Sequence, residues 1–431
     1  MTNCKTLIRQ INNGEYDEIF TELYSKNDLK RVHERYTRAI NGFTQRYGER
    51  DVTLFSAPGR TEVGGNHTDH QNGRVLAAAV NLDIIAVVSL SDDNIIRLKS
   101  QGHDEDIVDL NQSLQKVAKE KGRSVSLIRG MCSCFKMRDY NIGGFYAYTI
   151  SDVLKGSGLS SSAAFEILTG TILNHLFNDG KISSVETAQI GQYAENEYYG
   201  KPSGLLDQTA SAVGGFVTID FKDPKNPIIE QIDFDFEQSE HSLCIVDCGG
   251  SHADLDEHYA AITTEMHDVA KQFGGNKLRE VDGKDFDFTS KIANLRGNCN
   301  ERAILRAAHF FNENNRVTEQ VNALKSGDFK AFKKLIIESG DSSYKYLQNI
   351  YPSNQAENQS VSLALMVSEM ILKDRGAWRV HGGGFGGTIQ AFVPNDMLQE
   401  YKTVMQEIMG ENSCHILKIR PFGGKRINKN A

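Results

Sequence analysis

Apolar positions change their period in blocks along this chain, and the blocks predict a mixed α and β protein. Within residues 5–48, Leu29, Val32, Tyr36, Ile40 and Phe43 recur at helical spacing among charges, which predicts amphipathic helix forming a helical cover over residues 1–50. From 52 to 100 the texture turns to short runs rich in β-branched residues (VTLFSA, VLAAAV, DIIAVVSL, NIIRLKS) punctuated by Gly, Asn and Asp, the pattern of strands joined by turns. A helix around 124–138, a strand near 143–150 and helices at about 161–177 and 183–199 follow. After the strand-like GGFVTIDF (214–221) the chain loops through Asp223, Pro224 and Pro227, then resumes with the apolar SLCIVDCG (242–249). Helices are predicted over 253–273, 300–325, 328–340 and 356–375, and a strand, TIQAFV, directly after the glycine run 382-GGGFGG-387. The loop in the middle is the natural domain boundary, which divides the chain beyond the cover into units 51–235 and 236–431.

Length and composition narrow this picture without redrawing it. A chain of 431 residues is too long for one compact core, and 39% hydrophobic, 24% charged and 7 Pro residues describe an ordinary globular protein without repeats or low-complexity tracts. A formal net charge of -8 argues against a nucleic-acid partner, which would call for a basic face. The seven cysteines (Cys4, Cys132, Cys134, Cys244, Cys248, Cys299, Cys414) contain no two CxxC pairs, so they read as reduced thiols and not as a zinc site. The N-terminus lacks the apolar core of a signal peptide, and no run approaches the ~18 apolar residues of a membrane span. A cytoplasmic protein, without membrane partner and monomeric, is expected.

Three polar clusters carry the candidate chemistry. In 156-GSGLSSSAAFE-166 a Gly/Ser loop runs into a helix, so unpaired backbone N–H groups and the positive end of the helix dipole converge on one point, where an anion is stabilised. A plain capped turn would use a single Ser, whereas three consecutive serines suit a triphosphate and its magnesium. In 58-PGRTEVGGNHTDHQNG-73 an Arg, carboxylates, His and Asn stand between glycines in a loop joining strands, as sugar hydroxyls demand. A purely structural turn and a metal site on His67, Asp69 and His70 are the competing readings, the latter with awkward spacing and no fourth ligand. The third cluster, 195-ENEYYGKPSGLLDQ-208, ends a helix and presents Asp207 on a short turn. The glycines at 382–387 match GxGxxG, yet a strand follows where a dinucleotide site needs a helix. Neither GxxxxGK[ST] nor the HRD and DFG triplets of protein kinases occur.

Taken together, 58-PGRTEVGGNHTDHQNG-73, 156-GSGLSSSAA-164, 204-GLLDQ-208, 306-RAAHFFNENNRV-317 and 382-GGGFGG-387 resemble, in order, the motifs of the GHMP small-molecule kinases, and among them the galactokinases. The resemblance implies an α+β two-domain fold, with an N-terminal domain like ribosomal protein S5 domain 2, a ferredoxin-like C-terminal domain and the active site between them. It implies ATP and Mg²⁺ as cofactors and a small-molecule sugar as acceptor. Gly156, Ser157, Gly158, Leu159, Ser160, Ser161 and Ser162 would wrap the ATP phosphates, with Ser162 and Glu195 on Mg²⁺. Asp207 would be the base for the sugar's anomeric hydroxyl, and Arg60 would stabilise the transferring phosphoryl group and keep Asp207 ionised. His67, Asp69, Gly204 and Tyr259 match sugar-site positions. One departure matters. Where galactokinases generally carry Glu before His-Thr-Asp, on the sugar's C6 hydroxyl, this chain has Asn66, and Glu62 stands four residues earlier where Asn is usual. Either Glu62 takes over a related hydrogen bond, or the C6 subsite is neutral and a uronate such as galacturonate is the substrate. A non-catalytic sugar and ATP sensor is the rival outside the enzyme class.

Overall fold

The computed structural model describes residues 1–154, 158–249, 255–281 and 287–429. The chain opens with a short strand, β1 (Thr2–Asn3), and three helices, α1 (Cys4–Asn12), α2 (Asp17–Leu23) and α3 (Leu29–Tyr47). Strands β2 (Asp51–Gly64), β3 (Arg74–Leu90), β4 (Ile95–Ser100) and β5 (Glu105–Asp109) lead to α4 (Ser124–Met137), β6 (Phe145–Ser151), α5 (Ser161–Phe177), α6 (Ser184–Tyr193), α7 (Leu206–Val213), β7 (Phe216–Asp220) and β8 (Ile228–Ile232). The second half runs through β9 (His241–Asp247), α8 (Asp256–Gln272), α9 (Leu278–Val281), α10 (Phe288–Arg296), α11 (Glu301–Lys325), α12 (Phe329–Ser342) and α13 (Ser360–Leu372). It ends with β10 (Ala377–His381), β11 (Thr388–Pro394), α14 (Leu398–Met409), β12 (Cys414–Leu417) and β13 (Lys425–Ile427).

The strands form two sheets. The larger has the order β1-β2-β3-β6-β4-β5, with β13 also on β2 and β7 and β8 branching from β3, and the smaller is antiparallel in the order β10-β11-β9-β12. The tail returns to the first sheet, where Ile419 bridges to Val80 and β13 pairs with β2. Alternation along β3 explains how that sheet is covered on both sides. Ala86 and Val88 face the core shared with α4, α5 and α7, whereas Ile85 and Val87 pack with Tyr36, Ile40 and Phe43 of α3. The N-terminal stretch is therefore three helices sealing a sheet face, and not one helix. A buried charge cluster fastens it: Asp83 on β3 accepts from Arg35 Nη1 (2.5 Å), Tyr24 Oη (2.6 Å) and Arg420 Nη1 (3.0 Å). Burial opposes ionisation of Asp83, but Arg35 and Arg420 hold its carboxyl below the usual range.

Two strand expectations need correction. VLAAAV and DIIAVVSL are one 17-residue strand, because the polar break at Asn81 is bridged from the tail, with Asn81 N–H donating to Lys418 O (3.0 Å) and Lys418 N–H to Asn81 Oδ1 (2.9 Å). Residues 58–64, expected in a loop, continue β2, and register shifts at Pro58/Arg60 and Glu62/Gly64 let the ladder pass Pro58, which has no N–H to give.

Candidate active site

The bulged end of β2 sets the site, because alternation leaves Arg60 and Glu62 partly exposed between the buried Thr61 and Val63. Beyond Gly64 the chain turns through Gly65–Gly73, with Gly65 at φ 86° and His67 at φ 56°. A side chain at Gly65 would stand 2.5 Å from Arg74 O, so only glycine fits. Helix α11 anchors this turn from the other half of the chain. Gly65 N–H donates to Glu313 Oε1 (3.1 Å), Arg74 N–H to Asn314 Oδ1 (2.9 Å), and His309 Nε2–H to Asn66 O (2.9 Å). Burial keeps His309 below its ordinary pKa, hence neutral. Glu313 stays ionised in spite of burial, its pKa brought to about 2 by Arg316, Arg379 and the Ser339 hydroxyl. None of these anchors was identified as a site residue from sequence. Their residue types inside the quoted 306–317 helix were the available signal.

The same turn braces the glycine run at 382–387. His67 donates through Nε2 to Gly383 O (2.9 Å), and burial with His70 nearby lowers its pKa to about 4. Tyr259 Oη donates to Gly384 O (3.0 Å), and a Cβ on Gly383 would meet the Tyr259 ring at 2.6 Å, so the glycine allows the close approach. Asn66 is fully buried with both ends of its amide engaged. Its Nδ2 donates to Glu62 Oε1 (2.9 Å) and Gly382 O (2.7 Å), and its Oδ1 accepts from Asn349 Nδ2 (2.8 Å) and Ser343 Oγ (3.2 Å). Asn66, expected to face the sugar, thus lies behind the site wall. The two exchanged residues are bonded to each other, so the carboxylate has moved to the other end of one amide–carboxylate pair. Glu62 also receives Arg379 Nη2 (3.0 Å) on Oε1, while burial pushes its carboxyl upward. Asp69 stays 21% exposed at its side chain, and a Cβ on Gly204 would lie 3.1 Å from Asp69 Oδ2, so these two expected sugar-site residues adjoin. Among the described residues no cluster of three or more His, Cys, Asp or Glu is placed to hold a metal ion.

Where the Gly/Ser loop meets β2, Arg60 and Asp207 close on each other. Asp207 lies in the first turn of α7, and Arg60 reaches its Oδ1 through Nε (2.7 Å) and Nη2 (2.5 Å), while Ser160 Oγ donates to Oδ2 (2.6 Å). Burial would raise the Asp207 pKa, but Arg60 and then the Ser160 hydroxyl hold it below the ordinary value, so the carboxylate is ionised. Arg60 also strapped to the loop through Gly158 O and, by its own N–H, to Leu159 O (3.1 Å). Gly156 and Ser157 lie outside the described residues. Gly158, Leu159, Ser160, Ser161 and Ser162, with Lys201, Arg60 and Asp207, line a cavity of about 250 Å³ at the start of α5. Ser162 Oγ donates to Glu195 Oε1 (2.9 Å), which Lys201 Nζ also approaches (3.2 Å), and Gln208 Nε2 bridges Glu195 Oε2 (2.8 Å) and Glu166 Oε2 (3.0 Å). Glu166 is fully buried, and burial with Glu195 alongside raises its pKa well above the carboxylate range. Sequence reading passed over it, although a lone acid within the apolar 161–177 helix was a signal. A larger cavity of about 920 Å³ adjoins the first, sharing Leu154, Ser161 and Ser162, and extends past Leu82, Ser124, Thr149, Phe165 and Tyr199.

Residues 126–215 match the model of the GHMP kinase N-terminal domain, and the two-sheet architecture agrees with that class. The chain is similar in fold to the mevalonate kinase of Methanococcus jannaschii (16% identity, TM-score 0.61, 86% of this chain and 98% of that one). It is also similar to the Lactococcus lactis galactokinase complexed with galactose (24%, TM-score 0.74, 90% and 98%). Residues 41–90 match the galactokinase galactose-binding signature. The galactokinase of Actinobacillus pleuropneumoniae serotype 3 is 30% identical over 86% of this chain and 92% of its own length, and that of Lactobacillus helveticus 31% identical over 82% and 89%. The chain belongs to the galactokinase family and is a sugar kinase of the two-domain GHMP fold. No helix among the described residues is long and apolar enough to cross a membrane.

Proposed function

We propose that the protein transfers the γ-phosphoryl group of ATP to the anomeric C1 hydroxyl of galactose, giving galactose 1-phosphate and ADP. One observation carries this reading: an ionised carboxylate, Asp207, stands at the rim of the phosphate cavity with a guanidinium forked onto it. The triphosphate lies in the 250 Å³ cavity and the adenosine in the adjoining 920 Å³ cavity. As the sugar oxygen attacks the γ-phosphorus, a P–O bond forms to C1–O, the bridging P–O bond to ADP breaks, and the hydroxyl proton passes to Asp207. Arg60 and Lys201 compensate the negative charge on the phosphoryl oxygens, so alignment and electrostatics dominate the rate. Ser162 Oγ and a Glu195 carboxylate oxygen, 2.9 Å apart, are hard oxygen donors of the kind Mg²⁺ prefers and would hold the ion beside the phosphates. Bound there, it would supply positive charge against the phosphate oxygens.

On the acceptor side, Asp69 beside Gly204 and the free oxygen of Glu62 receive the sugar hydroxyls. The carboxylate kept at Glu62, hydrogen-bonded to Asn66, supports a neutral hexose over a uronate, because a second carboxylate at C6 would meet like charge. The intact Arg60–Asp207 pair supports an enzyme over a sensor. Coupling ADP release to galactose, galacturonate, glucose, N-acetylgalactosamine and arabinose tests the reading. Galactose is expected to give the highest kcat/KM. A preference for galacturonate overturns the substrate, and no ADP with any sugar, but thermal stabilisation by a sugar plus ATP, establishes the sensor.

A further inference from the structure

Phe385, held at φ 61° in the glycine run, touches Tyr259 on the sugar side (centroids 5.5 Å apart) and also His258 (5.3 Å). At His258 a separate cavity of about 410 Å³ opens, sharing no lining residue with the two cavities assigned to ATP. Its walls include His258, Arg302, Arg306, Tyr344, Tyr351 and Phe385. Two guanidiniums there divide one carboxylate. Arg302 reaches Glu265 through Nε (3.0 and 3.1 Å) and Nη2 (2.6 Å), and Arg306 reaches it through Nη1 (2.8 Å). Arg306 is only 1% exposed, its Nε donates to Leu347 O (3.1 Å), and its Nη2 makes no hydrogen bond among the described residues. That nitrogen is open to solvent, so its N–H donors face the cavity that Arg306 lines. Burial, aided by the like charge of Arg302, lowers the Arg306 pKa to about 10 against the opposing pull of Glu265.

We propose that this cavity binds a phosphate monoester, its oxygens on Arg306 and Arg302 and its organic part against Tyr344, Tyr351 and Phe385. Arginine forks match phosphoryl oxygens bidentately, and a cavity of this size accommodates a phosphorylated monosaccharide beside aromatic walls. The site goes beyond the kinase reading and stands without it.

The test is calorimetric titration of the full chain with its active site saturated by galactose and a non-hydrolysable ATP analogue, at constant ionic strength. Inorganic phosphate and galactose 1-phosphate are the two probes. Saturable binding of both is expected, with galactose 1-phosphate about tenfold tighter or more from its aromatic contacts. Arg302→Gln should weaken both by about tenfold, the scale of one lost charged hydrogen bond, and leave ADP release unchanged. Tyr344→Ala, at an exposed position, should weaken only the monoester. Absence of saturable binding, wild-type affinity in Arg302→Gln, or equal affinity for the two probes overturns the assignment. Failure of the kinase reading would show separately, as absence of ADP release.

Discussion

Removing Arg60 should move the pH at which the enzyme loses activity on the acid side. In the folded protein Nε and Nη2 of Arg60 lie 2.7 and 2.5 Å from Oδ1 of Asp207, and this cation is the largest influence holding the carboxyl down against burial. The two side chains are 12% and 26% exposed, so an intermediate effective dielectric of about 20 applies, for which charges about 4 Å apart interact by roughly 4 kcal/mol. Water entering the vacated space reduces that ceiling. An opposite charge at this range lowers a carboxyl pKa by about 1–3, at about 1.4 kcal/mol for each tenfold change in ionisation. Ser160 Oγ and Lys201 remain, which favours the lower half of that span. The sign follows directly: a base whose pKa rises becomes protonated at higher pH. In Arg60→Ala the acid limb of log kcat against pH should therefore shift upward by about one to two pH units, and the plateau should fall by about 10²-fold as the phosphoryl group loses its cation. Arg60→Lys keeps the charge without the fork and should lie between. The assay is coupled ADP release at saturating ATP and galactose from about pH 4.5 to 9. A lowered plateau with the acid limb unmoved would refute the claim that Arg60 sets the state of Asp207.

Asp207→Ala should retain ATP binding by titration yet lose about 10²-fold or more in turnover, the scale of a positioned general base; near-wild-type turnover removes that role. Ser162→Ala should raise the Mg²⁺ concentration for half-maximal rate while leaving the sugar KM unchanged, because its hydroxyl meets Glu195 and not the acceptor side. Asp83→Asn leaves Arg35 and Arg420 buried without their carboxylate, and a loss of about 3–5 kcal/mol is expected in denaturant titration. Because the Asp83 pKa is depressed by folding, its contribution is present above the unfolded carboxyl pKa and lost as pH falls through the folded one. Stability of Asp83→Asn equal to wild type near neutral pH would contradict the role given to the cluster.

Long periodic elements were legible in the sequence, as α5 (Ser161–Phe177) and α11 (Glu301–Lys325) illustrate, because an amphipathic or apolar period over four or more turns leaves little alternative. The motif order likewise pointed to the family, to Arg60 and to Asp207. What escaped was whatever depends on partners distant in the chain. Strand β2 continues through 58–64 because β3 offers a ladder with bulges around Pro58, and polar local composition hides that. Asn66, placed at the sugar by the resemblance, is buried by Glu62, Asn349, Ser343 and Gly382, three of them more than 270 residues away. In sequence Glu166 is marked only as a lone acid in an apolar helix and Glu313 only as one polar residue among several, and tertiary packing turns one into a raised-pKa carboxyl and the other into an ion-paired clamp on Gly65.

The central claim, that Asp207 directs the phosphoryl group of ATP to the anomeric oxygen of galactose, is tested most directly by the position of the new phosphate. Incubation with ATP, Mg²⁺ and galactose labelled with ¹³C at C1, followed by nuclear magnetic resonance, should give carbon–phosphorus coupling at C1 with stoichiometric ADP, and Asp207→Asn should slow the growth of that signal by about 10²-fold or more. Phosphate on another hydroxyl, or undiminished C1 phosphate in Asp207→Asn, would contradict it.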